Sequence, residues 1–127
     1  MPESAGSLTA CEAEIMDVIW QRDAITVQEV VDELERPLAY TTVLTMVRIL
    51  EEKGFIARTE KRGRAFVYRP VVTRKSVRST MSRNLVDLIF GGSTKSLVLS
   101  LVEDRSLSRE ELTELRGLID NLESDQP

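Results

Sequence analysis

The sequence predicts a mainly α chain with one small β-hairpin near its middle. Apolar residues recur at helical spacing in three segments before Gly54. Between Phe55 and Val71 the apolar period drops to two, the spacing of a strand. Helical spacing then returns in three further segments that run to residue 124.

The first helix is predicted within "SLTACEAEIMDVIWQRD", where Thr9 and Glu12 have capping-box spacing and Ile15, Val18, Ile19 and Trp20 supply the apolar stripe. "ITVQEVVDELE" is the second. Thr26 and Glu29 form its box, Ile25 and Val30 its hydrophobic staple, and Pro37 sets its end. The third helix runs roughly from Tyr40 to Lys53, with Gly54 as the residue beyond its C-cap. At 100° per residue Val43, Val47 and Leu50 share an inward face with Met46 beside it, and Thr41, Thr45, Arg48 and Glu52 share the outward face. After Gly54, "FIARTE", "KRGR" and "AFVYRPV" read as two strands around a basic turn containing Gly63, with Phe66 and Tyr68 on one face. Trp20 and Phe66 are expected in the core. Three helices followed by a hairpin with a charged tip is the order of a winged helix-turn-helix, expected over residues 8–72.

Residues 73–124 are expected to form a three-helix dimerisation region. Val77, Met81, Leu85 and Leu88 mark its first helix, which Gly91 and Gly92 break. Leu97 and Leu101 lie in a short apolar helix, and Leu112, Leu115, Ile119 and Leu122 form a heptad-like seam behind a Ser108–Glu111 capping box. Such helices could fold back on the first domain, but small helical units often complete their core against a second copy, so these ten residues are the expected homodimer contacts. Residues 1–7 and 125–127 are expected to be disordered tails.

Composition removes most other function classes. There is no histidine, and Cys11 is the only cysteine. That leaves no disulfide framework, no expected zinc or other metal site, and no base for a serine- or cysteine-type triad. No cofactor is expected, and an enzyme is the poor alternative. No apolar run is long enough to span a bilayer and the start has no signal-peptide pattern, so a cytoplasmic protein without membrane insertion is expected.

The net charge is −4, but it is segregated along the chain. Residues 1–38 hold nine acids and two bases, and residues 100–127 hold eight acids and three bases. Residues 39–78 hold ten bases and three acids, a net +7 centred on the third helix and the hairpin. Such asymmetry in one small chain is an electrostatic footprint for nucleic acid.

The third helix fits that partner. Threonine is a mediocre helix former, yet its hydroxyl can hydrogen-bond base edges and its methyl can pack on a thymine methyl. Arginine can take guanine O6 and N7 together or clamp a phosphate. Thr41, Thr42, Thr45 and Arg48, with Tyr40 at the helix entry and Lys61, Arg62 and Arg64 in the hairpin, are the candidate DNA contacts. The alternative is a winged-helix protein–protein module without specific DNA binding, which would favour aromatic and aliphatic residues on that outward face.

The chain also resembles the BlaI/MecI family of bacterial winged-helix repressors, the penicillinase repressors. The similar blocks are "EAEIMDVIW", "TVQEVVDEL", "AYTTVLTMVRILEEKGFI", "YRPVV", "GGSTKSLVLSLVE" and "LSREELTELRGLI", collinear over roughly residues 8 to 123. The resemblance implies a homodimer joined through its C-terminal helices, each subunit placing its third helix in one half of a palindromic operator. It implies base reading by Thr41, Thr42, Thr45 and Arg48 and hairpin contacts from Lys61, Arg62 and Arg64. Copper-responsive relatives carry C-terminal Cys-x-Cys pairs; this chain ends "IDNLESDQP" and lacks them. Antibiotic-responsive relatives are inactivated by proteolysis downstream of a membrane sensor-protease. The bond corresponding to the cut would be Ser100–Leu101, without the asparagine that precedes it in relatives that are cut.

Overall fold

The computed structural model describes residues 7–126. Its elements are α1 (Ala10–Arg22), α2 (Val27–Glu33), α3 (Tyr40–Glu52), β1 (Ile56–Arg62), β2 (Ala65–Pro70), α4 (Arg74–Ile89), α5 (Thr94–Glu103) and α6 (Arg109–Ser124). They form two compact units that divide between Arg83 and Asn84, within α4. Of the tails expected to be disordered, residues 1–6 and 127 lie outside the described residues.

Local chemistry sets the helix starts of the first unit. Thr9 Oγ1 accepts from the Glu12 N–H at 3.2 Å, and Glu12 accepts from the Thr9 N–H at 2.9 Å, a reciprocal capping box on α1. Thr26 and Glu29 repeat it on α2. α3 follows Ala39, which is extended and gives no side-chain cap, so this helix depends on its apolar face. That face is Val43, Val47 and Leu50, all buried against Ile15, Met16 and Ile19 of α1, Val27 and Val30 of α2, and Phe55, Ile56 and Tyr68 at the hairpin base.

β1 and β2 pair antiparallel, with Arg62 opposite Ala65 and the two-residue turn Gly63-Arg64 between them. Gly63 has φ +67°, the positive value that the first position of such a turn requires. A Cβ there would meet nothing within 4 Å, so the cost of filling it is backbone strain alone. Gly63→Ala is accordingly expected to destabilise the first unit by about 1 kcal/mol, read as a lowered melting midpoint. An unchanged midpoint would show that the turn tolerates a side chain. Ile25 holds the other end of the hairpin through backbone hydrogen bonds to and from Tyr68 at 3.1 and 2.8 Å, and Trp20 Nε1 donates to the Val72 carbonyl at 2.9 Å.

Four expectations are corrected. α2 ends at Glu33, before Pro37, because Leu34 turns extended and packs onto the core. Phe66 is 40% exposed and outside the core. A register shift between Arg58 and Glu60 interrupts the strand alternation, and Val67 and Tyr68 are buried in succession. Val77, expected in the dimer seam, is buried in the core of the first unit, and Met81 packs partly against that core. The apolar stripe of α4 therefore begins on the first compact unit, which extends to Arg83.

In the second unit Val86 is buried, and α4 stops where Gly91 and Gly92 take φ +57° and +79°. Ser93 caps α5 by accepting from the Ser96 N–H at 3.1 Å, and Ser108 and Glu111 form the box of α6. No residue of α5 or α6 is buried. Among the described residues no single helix is long and apolar enough to cross a membrane.

Candidate DNA-binding surface

α3 presents Tyr40, Thr41, Thr42, Thr45 and Arg48 to solvent while its opposite face fills the core. Thr45 Oγ1 donates to the Thr41 carbonyl at 3.0 Å, which keeps its methyl and its remaining lone pairs at the surface. Beside this helix a groove runs to the hairpin, lined by Leu44, Arg48, Glu51, Arg58, Phe66 and Tyr68. It is continuous through shared residues with a second depression that reaches Gln28, Tyr40 and Arg64. Five of the eight predicted contacts thus sit on one helix surface, and Arg64 joins them across the groove.

Folding sorts the basic segment into two classes. Lys53 pairs with Glu12 at 2.8 Å, Arg58 with Glu51 at 2.8 Å, Arg62 with Glu29 at 3.0 Å, Arg69 with Asp23 at 3.3 Å and Arg74 with Asp17 at 2.7 Å. Four of those five acids come from the acidic N-terminal segment, so part of the charge separation seen along the chain is cancelled in space. Arg48, Lys61, Arg64, Lys75 and Arg78 have no carboxylate partner among the described residues. Three of them, Arg48, Lys61 and Arg64, are predicted contacts; Arg62 is instead directed at α2.

Sequence reasoning missed Phe66. Its ring lies 4.7 Å from the Arg58 guanidinium carbon and 4.9 Å from Lys61 Nζ, an exposed aromatic with two cations over it. The available signal was the density of cations in "RTEKRGR" on the paired strand; that Arg58 and Lys61, three residues apart, both reach the ring depends on the register shift.

Neighbouring carboxyl groups are held ionised. The Thr26 backbone N–H is the main cause that keeps the Glu29 carboxyl below the ordinary carboxylate range. Burial opposes it, and the Thr26 hydroxyl, Arg62 and Arg22 add to it. For Glu12, burial is the largest influence and acts upward, but the hydrogen bonds from Lys53 and Thr9 together outweigh it, and the net shift is downward. Burial and Glu51 raise the Tyr68 hydroxyl, against Arg58 and Arg48.

In the second unit the predicted seam residues Leu85, Leu88, Leu101, Leu112, Leu115, Ile119 and Leu122 are exposed, Leu88 at 83% and Leu122 at 62%. Leu97 is half-buried, and Ser100 and Leu101 lie inside α5.

The penicillinase repressor family model matches residues 8–121. The chain belongs to the penicillinase repressor family. The match covers both units of the fold and agrees with the six blocks of resemblance in the sequence. Among curated members of the family, the methicillin resistance regulatory protein MecI of Mammaliicoccus sciuri is 29% identical over 121 residues, 94% of this chain and 98% of that one. The penicillinase repressor of Bacillus licheniformis is 31% identical over 115 residues, 89% of each chain. The solution structure of the DNA-binding domain of the repressor BlaI matches with TM-score 0.50 and 32% identity, covering 57% of this chain and 89% of that one.

Proposed function

We propose that this penicillinase-repressor family member is a sequence-specific transcriptional repressor that binds a palindromic operator as a homodimer. Each subunit lays α3 in the major groove, with Thr41, Thr42, Thr45 and Arg48 toward the base edges and the hairpin over the adjoining backbone. The observation that carries the proposal is the solvent side of α3, where Thr41, Thr42, Thr45 and Arg48 stand exposed, Arg48 without a carboxylate partner among the described residues and facing Arg64 across the groove. A protein-docking face of that size would be apolar at its centre. The names of the relatives, regulators and repressors, agree with the reading.

Dimerisation through the second unit supplies the affinity. A single reading head that neutralises a few phosphates binds weakly at physiological salt. Joining two heads makes the second contact intramolecular and raises affinity by roughly 10²–10⁴. Whatever separates the subunits then induces the controlled gene. A cut at Ser100–Leu101, made downstream of a membrane sensor-protease, would do so by severing α5 between its apolar residues. That bond lies inside a helix, so it becomes a substrate only when α5 opens locally.

Arg48→Ala tests the reading head. It is expected to weaken binding to a site enriched from random-sequence DNA by about 1–3 kcal/mol while barely changing binding to unrelated DNA. Equal losses on both, in the same competition assay, would make Arg48 a phosphate clamp and leave base reading to the threonines.

A further inference from the structure

The hairpin carries more positive charge than it presents. Arg62 Nη1 donates to both carboxylate oxygens of Glu29, at 3.0 and 3.1 Å. The position of Glu29 does not depend on Arg62. Its carboxylate also accepts from the Thr26 N–H at 2.9 Å and the Thr26 hydroxyl at 3.2 Å, so the first turn of α2 holds it as a fixed receptor. Arg22 reaches the same carboxylate at 3.3 Å. At the other end of β1, Arg58 Nε donates to Glu51 Oε2 of α3 at 2.8 Å while its guanidinium lies over the Phe66 ring. One arginine near the base of the strand therefore reaches α3, and one near its tip reaches α2. Between and beyond them, Lys61 and Arg64 have no carboxylate partner among the described residues.

We propose that Arg58 and Arg62 are positioning residues that strap the hairpin to α3 and α2 through Glu51 and Glu29, leaving Lys61 and Arg64 as the hairpin's own contacts with DNA phosphates. The second half rests on the DNA-binding reading above; the first does not. A two-stranded ribbon has little stability of its own, and this one is otherwise held toward its base, by the Ile25–Tyr68 bridge, the burial of Ile56, Val67 and Tyr68 and the Arg69–Asp23 pair. Exposed ion pairs are individually weak. Two of them at opposite ends of one strand are still enough to select one hairpin orientation, because Glu51 is carried on α3 and Glu29 is already held by Thr26 at the start of α2. A preoriented hairpin binds with less ordering cost than a mobile one.

The test is the Glu29→Gln, Glu51→Gln double variant of the full chain. Glutamine preserves the capping box at position 29, so α2 keeps its start; the straps lose charge, and Arg22, which also meets Glu29, keeps its pair with Glu33. In the free protein, backbone amide exchange over residues 61–65 should rise several-fold with the melting midpoint held. On a site enriched from random-sequence DNA, affinity should fall by about three- to tenfold with the salt dependence unchanged. Lys61→Gln and Arg64→Gln should instead lower the slope of log K against log salt by about one for each phosphate contact removed. Tighter binding with a steeper slope in the double variant would overturn the proposal, since the two arginines would then be phosphate ligands that the carboxylates hold back. Unchanged exchange over residues 61–65 would overturn the straps themselves. If the wild-type protein selects no DNA, the functional reading fails while the exchange result still decides whether the straps exist.

Discussion

Replacing Leu115 and Leu122 together by aspartate should give a monomer in sedimentation velocity and lower affinity for a two-half-site operator by roughly 10²–10⁴-fold. Both leucines lie on α6, exposed and in phase with Leu112 and Ile119. An apolar stripe of that length is costly to leave in water, and Leu85, Leu88 and Leu101 of the same unit are exposed as well. Neither leucine is buried within its own unit, so the aspartates should cost the folded monomer little. In the proposed dimer their effect falls on the interface, where two charges per subunit would be desolvated without partners. Binding to a single half-site should survive, because the reading head lies in the other unit. A dimer that persists in the double variant would place the interface elsewhere than α6.

Lys53→Met should destabilise the first unit by about 2–4 kcal/mol at neutral pH. Lys53 belongs to the basic segment, but its ammonium donates to both oxygens of Glu12 at 2.8 and 3.1 Å, and Glu12 is only 3% exposed. Removing the cation leaves a buried carboxylate with the Thr9 cap alone. The effect should depend on pH in a defined direction. The Glu12 carboxyl is depressed in the folded protein, so its contribution is complete above the ordinary carboxylate range and is lost as pH falls through the depressed value. The wild-type protein should lose stability with acid through that window. The deficit of the variant should narrow over the same range, since a protonated Glu12 needs no counter-charge. Thermal melts between neutral pH and the acid end of that window give both curves, and a deficit independent of pH would assign the loss to packing of the lysine stem.

Much of the fold was legible because its signals are local. Three capping boxes, at Thr9, Thr26 and Ser108, are carried by residues three apart, and all three are formed. The inward face of α3 follows from helical pitch and is buried as expected. What failed depended on partners that spacing cannot name. Val77, Met81, Leu85 and Leu88 form one continuous stripe in the sequence, yet its first two members face the core of the first unit. Phe66 was misplaced because strand alternation holds only while the ladder is regular, and the shift near Thr59 cannot be seen in composition. The same limit applies to the candidate site. The count of basic residues was correct, but only folded geometry separates Arg58 and Arg62, which face carboxylates, from Arg48, Lys61 and Arg64.

The most direct test of the central claim, that this fold reads DNA sequence as a dimer, is fluorescence anisotropy of the intact protein with DNA from its own upstream region and a scrambled control across a salt series. The account predicts tight, competitor-resistant binding to the upstream DNA alone, falling steeply as salt rises. Equally weak binding to both DNAs, with no sequence enriched from a random pool, would contradict it and favour a protein-docking role for the winged helix.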